Sequence, residues 1–307
     1  MENYTLQFAS DLHLDPSGSS SKDSRSVFDN LLKPVAKDLA LCGDIGDPWS
    51  AVYRDFLAWC SVRWERVFLL AGNHEYFTEG PATWGSADKT YSGVEAEIRK
   101  VANRHSNVFF LQEEVYLIDS VKIAIVGATL WTAPALRRWD KMSGGVIGDG
   151  PGCRGEYTSI YKRDEYTGNL RTFHPSDITS LYVRQSQFLT RYLNSSWGGV
   201  PADYRVIVLT HHLPSLTVVP DEHRNSALVS CYATALDGLL KEPVVAWICG
   251  HSHRGRQIQL DSGCLVALNP LGYKSDQGVS GYSPVATAVV YRENIAIFRL
   301  GLATVKK

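Results

Sequence analysis

The sequence is short of the features that would settle its class cheaply. Its six cysteines (Cys42, Cys60, Cys153, Cys231, Cys249 and Cys264) are scattered, and no two form a CxxC pair. That spacing excludes a local zinc knuckle and suggests no disulfide framework at this length, so the thiols beside apolar runs (Cys42, Cys249, Cys264) read as small hydrophobes in a reducing compartment. No apolar run is long enough for a membrane helix. The opening Met1-Glu2-Asn3-Tyr4 lacks the charged and apolar regions of a secretory leader, which makes a cytoplasmic location the expectation. With 31 Lys and Arg against 32 Asp and Glu, there is no global field to attract nucleic acid or an anionic membrane. No internal repeat is visible.

What the 307 residues do have is a succession of strand-like apolar runs: Leu6–Ala9, Asp38–Cys42, Arg66–Ala71, Val121–Leu130, Arg205–Thr210, Val244–Cys249 and Cys264–Leu268. Helical spacing of apolar residues occupies Ser50–Val62, Tyr91–Asn103 and Pro175–Leu193, the last behind His174-Pro175-Ser176-Asp177. Near the end, Val285–Tyr291 and Ile295–Leu300 flank Arg292-Glu293-Asn294 and read as a β-hairpin. Alternation followed by late antiparallel strands predicts an α/β sandwich of two mixed sheets rather than a purely doubly wound fold. We expect one domain over 1–307. Ser17–Ser26 reads as a polar surface loop. Residues 131–174 read as an irregular insertion over the active face, of a length more often functional than idle.

Five short blocks follow those runs: Asp11-Leu12-His13, Gly43-Asp44-Ile45-Gly46-Asp47, Gly72-Asn73-His74-Glu75, Thr210-His211-His212 and Gly250-His251-Ser252-His253. Any one of them alone is a surface turn or a satisfied histidine. In an extended segment residues i and i+2 point the same way, so Asp11 with His13, and His251 with His253, could each grip one ion. All five stand at the C-terminal ends of predicted strands, where open α/β sheets place ligands. They supply more carboxylate, imidazole and amide ligands than one ion needs, as a two-metal hydrolytic site does.

The order DxH, GDxxD, GNHE, a histidine after a strand, and GHxH resembles the calcineurin-like metallophosphoesterase superfamily. Gly127–Trp131 and Asn269-Pro270-Leu271-Gly272-Tyr273 also resemble features of its uncharacterised bacterial and viral members. The resemblance implies a four-layer α-β-β-α sandwich and two divalent ions, manganese first, with iron or zinc as alternatives. It assigns Asp11, His13, Asp44 and His253 to one ion, and Asp44, Asn73, His211 and His251 to the other, with Asp44 shared. It implies in-line attack on a phosphomonoester or phosphodiester by a hydroxide held between the ions, with His74 as general acid. Asp47 falls where protein phosphatases carry the partner of that histidine; its alternative is a helix cap before Pro48.

Those phosphatases follow GDxxD with Arg-Gly, and here Pro48-Trp49 follows instead. Phosphate contacts must therefore come from elsewhere, with His212, Arg254 and insertion arginines such as Arg137 and Arg138 as candidates. The insertion's aromatics could stack a base or form a small core of their own. A small or medium phosphoester is the expected partner. A protein phosphatase or nuclease of the same superfamily, and a non-catalytic metal-binding scaffold, are the alternatives.

Overall fold

A computed structural model describes residues 3–14, 24–132, 154–194, 199–226, 228–291 and 296–299. Two six-stranded sheets form its centre, and β7 (Tyr161–Arg163) pairs with β8 (Leu170–Thr172) in a separate two-stranded ribbon. The first runs β14 (Ala296–Arg299), β13 (Thr287–Val290), β1 (Tyr4–Ala9), β2 (Asp38–Cys42), β3 (Arg66–Leu70), β4 (Val108–Phe110). Its β1 to β4 are parallel, and the expected terminal hairpin adds β13 and β14 antiparallel at one side. The second runs β11 (Arg256–Gln259), β12 (Leu265–Leu268), β10 (Val244–Cys249), β9 (Arg205–Thr210), β6 (Ile123–Ala128), β5 (Glu114–Ile118). Here β12, β10, β9 and β6 are parallel while β11 and β5 pair antiparallel.

The strand sequences explain the layering. In β2 and β3 nearly every residue is apolar because both faces are covered. Successive side chains point to opposite faces, so Leu39, Leu41, Val67 and Leu69 enter the core beneath helices α1 (Ser24–Leu31), α2 (Ala51–Ser61) and α3 (Tyr91–Ala102). Ala40, Cys42, Phe68 and Leu70 enter the layer between the sheets, where they meet Ile125, Ile207, Leu209 and Ile248. The outer face of the second sheet packs against Leu189 and Leu193 of a long helix, Pro175–Leu193, through Val206, Val208 and Trp247. Two mixed sheets flanked by helices make the expected α/β sandwich.

Three expectations need correction. Within Ser17–Ser26, residues 17–23 lie outside the described residues, but Ser24 already begins α1, whose Phe28 anchors to Phe56 and Trp59. The insertion's Trp131 and Phe173 are buried in the core under the helices, beside Tyr91 and Ile160, so these two serve packing, whereas Tyr166 is exposed. Trp139 lies outside the described residues. Finally, Cys42, Cys60, Cys249 and Cys264 are buried free thiols, whereas Cys231 is disulfide-bonded. Linear spacing could not show it. Among the described residues, no helix is long and apolar enough to cross a membrane.

Candidate metal centre

The parallel strands of both sheets end at one edge of the sandwich, and the five blocks meet there. The first sheet delivers Asp11 and His13 after β1, Asp44 after β2, and Asn73 with His74 after β3. The second delivers His211 and His212 at the end of β9, and His251 with His253 after β10. The loops are stitched together by Asp11 N donating to Gly43 O, His13 N to Asp44 O, and His251 N to Asp11 Oδ1 at 3.0 Å.

The extended geometry expected for DxH and HxH does not occur. Asp11, His13, Asp44, His251 and His253 all have left-handed backbone, with φ of 53°, 43°, 54°, 66° and 51°. Such residues each cost about 1–3 kcal/mol and cluster where structure is held for a purpose. The turn also separates His251 from His253: each faces a different set of ligands. Gly43, at φ +85°, sits where a Cβ would be 2.6 Å from His211 Nδ1 and from Gly72 N, so nothing larger fits beneath the cluster.

In the first set, ligand atoms of Asp11, His13, Asp44 and His253 lie within 4.8 Å of one another. His13 Nε2 is 3.1 Å from His253 Nε2, which is 3.4 Å from Asp11 Oδ1. In the second set, His211 Nε2 is 3.0 Å from Asn73 Oδ1, 3.2 Å from His251 Nδ1 and 3.5 Å from Asp44 Oδ2. Asp44 Oδ2 is also 3.8 Å from His13 Nε2, so it stands between the two sets. With metal–ligand bonds of about 2.1 Å, neighbouring ligands around one ion fall roughly 3.0–3.4 Å apart.

The partners behind these atoms decide what they can be. His211 Nδ1 faces Cys42 O at 2.9 Å, and His253 Nδ1 faces Asp276 Oδ2 at 2.9 Å. Both partners only accept, so both Nδ1 atoms carry hydrogen and both Nε2 atoms turn toward the cluster. Asn73 Nδ2 donates to Glu156 Oε1 at 3.0 Å, which turns its Oδ1 inward. Lone pairs of His211, Asn73 and Asp44 thus converge, an arrangement that a cation or a proton relieves. Asp11, Asp44 and His211 are buried, where unpaired charge is costly. Burial alone would lower His211 and His253, but Asp44 and Asp11 carry His211 up to about 10, and Asp11 with Asp276 carries His253 up to about 9. Burial holds His13 down at about 4. A cation must displace the protons on His211 and His253, so uptake strengthens with rising pH. The donor set fits two divalent ions.

His74 sits at the rim. Its N–H donates to Asp44 Oδ1 at 2.8 Å, while its ring Nε2 meets Tyr273 Oη at 2.8 Å. Among the described residues no hydrogen bond joins it to Asp47. Asp47 Oδ1 instead accepts from Trp49 N at 2.9 Å, ahead of Ser50, which caps α2. Neither expected role is seen: the cap is Ser50, and Asp47 closes the turn before it. His212 is buried, its ring tilted against that of His251 with centroids 4.2 Å apart and near Trp131, and burial with the neighbouring His211 charge lowers it to about 3. It packs behind a candidate ligand as a buried, neutral ring. Arg254 is held by Glu222, Asp276 and the His253 carbonyl rather than presented as a phosphate clamp. Arg137 and Arg138 lie outside the described residues.

Four contributors escaped sequence reasoning. Glu75, inside a quoted block but given no role, is buried and accepts from the backbone N–H of Gly72, Asp44 and Ile45 at 2.7, 2.9 and 2.6 Å. It ties the loops after β2 and β3 together. Glu156 reaches the centre from the insertion, and Asp276 and Tyr273 from the loop after β12. Nothing local marks Glu156 or Asp276; a carboxylate behind a ligand histidine is recognisable only in space. Asp276→Ala is expected to weaken manganese binding about 10- to 100-fold, measured by metal titration. Unchanged affinity would show that His253 needs no such support.

A family model described as calcineurin-like phosphoesterase matches residues 5–255. An uncharacterized protein of Acanthamoeba polyphaga mimivirus is 25% identical over 298 residues, covering 92% of this chain and 95% of the viral one. Among solved structures, the phosphopantetheinyl hydrolase of Mycobacterium tuberculosis aligns with a TM-score of 0.63 at 14% identity, covering 99% of this chain and 98% of that one. A dimetal phosphatase from Danio rerio aligns with a TM-score of 0.48 at 12% identity over 96% of this chain and 98% of that one. The ordered strand-end ligands and a family match across most of the sequence agree, and the chain belongs to the calcineurin-like phosphoesterase family.

Proposed function

We propose that the chain is a dinuclear metal-dependent phosphoesterase. The observation that carries this reading is the position of Asp44, whose Oδ2 stands between the two ligand sets while its Oδ1 receives the backbone N–H of His74. Asp11, His13, Asp44 and His253 would hold one ion, and Asp44, Asn73, His211 and His251 the other. When bound, two divalent ions supply a strongly acidified water and positive charge opposite the phosphoryl oxygens. In hydrolysis a water oxygen bonds to phosphorus as the bond to the leaving oxygen breaks, and that oxygen takes a proton. His74, at the rim beside the shared carboxylate, would give it. Glu156 and Glu75 hold Asn73 and the loop of Asp44 in register during this step. Imidazole, amide and carboxylate together accept manganese, iron or zinc, with manganese the first to try.

The substrate is a small or medium phosphoester. A net charge of −1 provides no basic track for a long polyanion. The test is a panel in manganese buffer: an activated aryl phosphate, its diester analogue, cyclic nucleotides, single-stranded nucleic acid and phosphopeptides. A phosphopantetheinyl ester joins it, since that group names the mycobacterial structural neighbour. Turnover of at least one ester is expected. Two bound metals with no turnover on any substrate would leave a non-catalytic scaffold as the better description.

A further inference from the structure

Tyr273 closes the outer side of the first ligand set. Its ring stands edge-on to His253, centroids 4.4 Å apart, and lies 4.6 Å from the ring of His13. Its hydroxyl is 2.8 Å from His74 Nε2. Even so, 40% of the residue remains open to solvent. A phenol aimed at the outward nitrogen of the proposed acid occupies the approach that a leaving group must use.

The loop is built to put it there. Asp276 Oδ2 accepts from Tyr273 N at 3.1 Å and is the same oxygen that supports His253 Nδ1. Gly272 N donates to Asp11 O, and Gly272 has a φ of +78°, where a Cβ would be 2.7 Å from Asp276 Cβ. The turn that delivers Tyr273 therefore shares its anchors with two ligands of the first set. The arginine that would follow Asp47 in a protein phosphatase is replaced by Pro48, and Arg254 is engaged by Glu222 and Asp276. A phenol O–H donates well to an anionic oxygen.

We propose that Tyr273 is a catalytic residue that contacts the phosphoryl group. With substrate in place, its Oη, until then the acceptor of His74 Nε2–H, moves off that nitrogen and its own O–H donates to a non-bridging phosphoryl oxygen. Nε2 is thereby released to face the leaving oxygen. This rests on the phosphoesterase reading above.

The experiment compares Tyr273→Phe with the unsubstituted chain, both loaded with manganese. Four quantities are read: manganese per chain, affinity for inorganic phosphate by calorimetry, and kcat and KM on aryl and alkyl phosphates. The expected result is full metal content, phosphate affinity about tenfold weaker, and kcat about 100-fold lower. A structural role would not produce that pattern, because it would leave phosphate affinity in the metal-loaded protein alone. Unchanged phosphate affinity and kcat would overturn the proposal. Loss of manganese together with activity would also overturn it, since Tyr273 would then be holding His13 and His253. If the unsubstituted chain binds phosphate but hydrolyses no ester, the esterase reading fails, while a tenfold loss in Tyr273→Phe still supports the contact. If it binds no phosphate at all, both fall.

Discussion

Asp44→Asn is expected to remove both metal ions together and to lower turnover about 1000-fold or more, the worth of several kcal/mol of charge stabilisation. The carboxylate is nearly completely buried, with Oδ2 at 3.5 Å from His211 Nε2 and 3.8 Å from His13 Nε2. An amide keeps the shape but replaces one oxygen with a group that cannot ligate, and it removes the negative charge both sets share. Elemental analysis of the purified variant reads the stoichiometry directly. Melting temperature gives an independent measure, since an ion that binds only the folded chain raises it. Manganese should shift the unsubstituted protein and leave the variant where it was. Retention of two tightly held ions would contradict a shared role for Asp44.

His74→Ala should behave in the opposite way. The contact steadying Asp44 comes from the backbone N–H of His74, and alanine preserves it. Metal content should therefore stay intact while kcat falls by about 100- to 10,000-fold on alkyl esters. On an activated aryl phosphate, whose leaving group needs no proton, the loss should be much smaller. The ratio of the two rates is the measurement. Equal losses on both substrates would assign His74 to binding, and full activity on alkyl esters would end its candidacy as the acid.

The candidate ligands were legible because each follows a buried strand whose composition announces itself. Every residue of β9 and β10 is buried, so the first polar residues after them, His211 and His251, stand out. The local geometry was not legible. Alternation along an extended chain predicts that His251 and His253 share an ion, whereas left-handed turns send them to different sets. Supporting groups were hidden by distance: Glu156 is 83 residues from Asn73, and Asp276 is 23 from His253. Asp47 misled for another reason. Its place in the GDxxD motif lies just before a helix capped by Ser50, and the turn N–H of Trp49 engages its Oδ1.

The ligands come from two separate sheets, Asp11, His13, Asp44 and Asn73 from one and His211, His251 and His253 from the other. The centre is therefore a caliper whose jaws are the strand ends and whose spacing is set by what lies between the plates. Phe8, Phe68, Ile125 and Leu209 are the shims. Thinning or thickening that layer by a methylene changes the gap at the strand ends, where coordination tolerates only a few tenths of an ångström. Metal affinity at the proposed centre would then gauge the protein's interior, and substitutions that touch no candidate ligand would still detune the proposed chemistry.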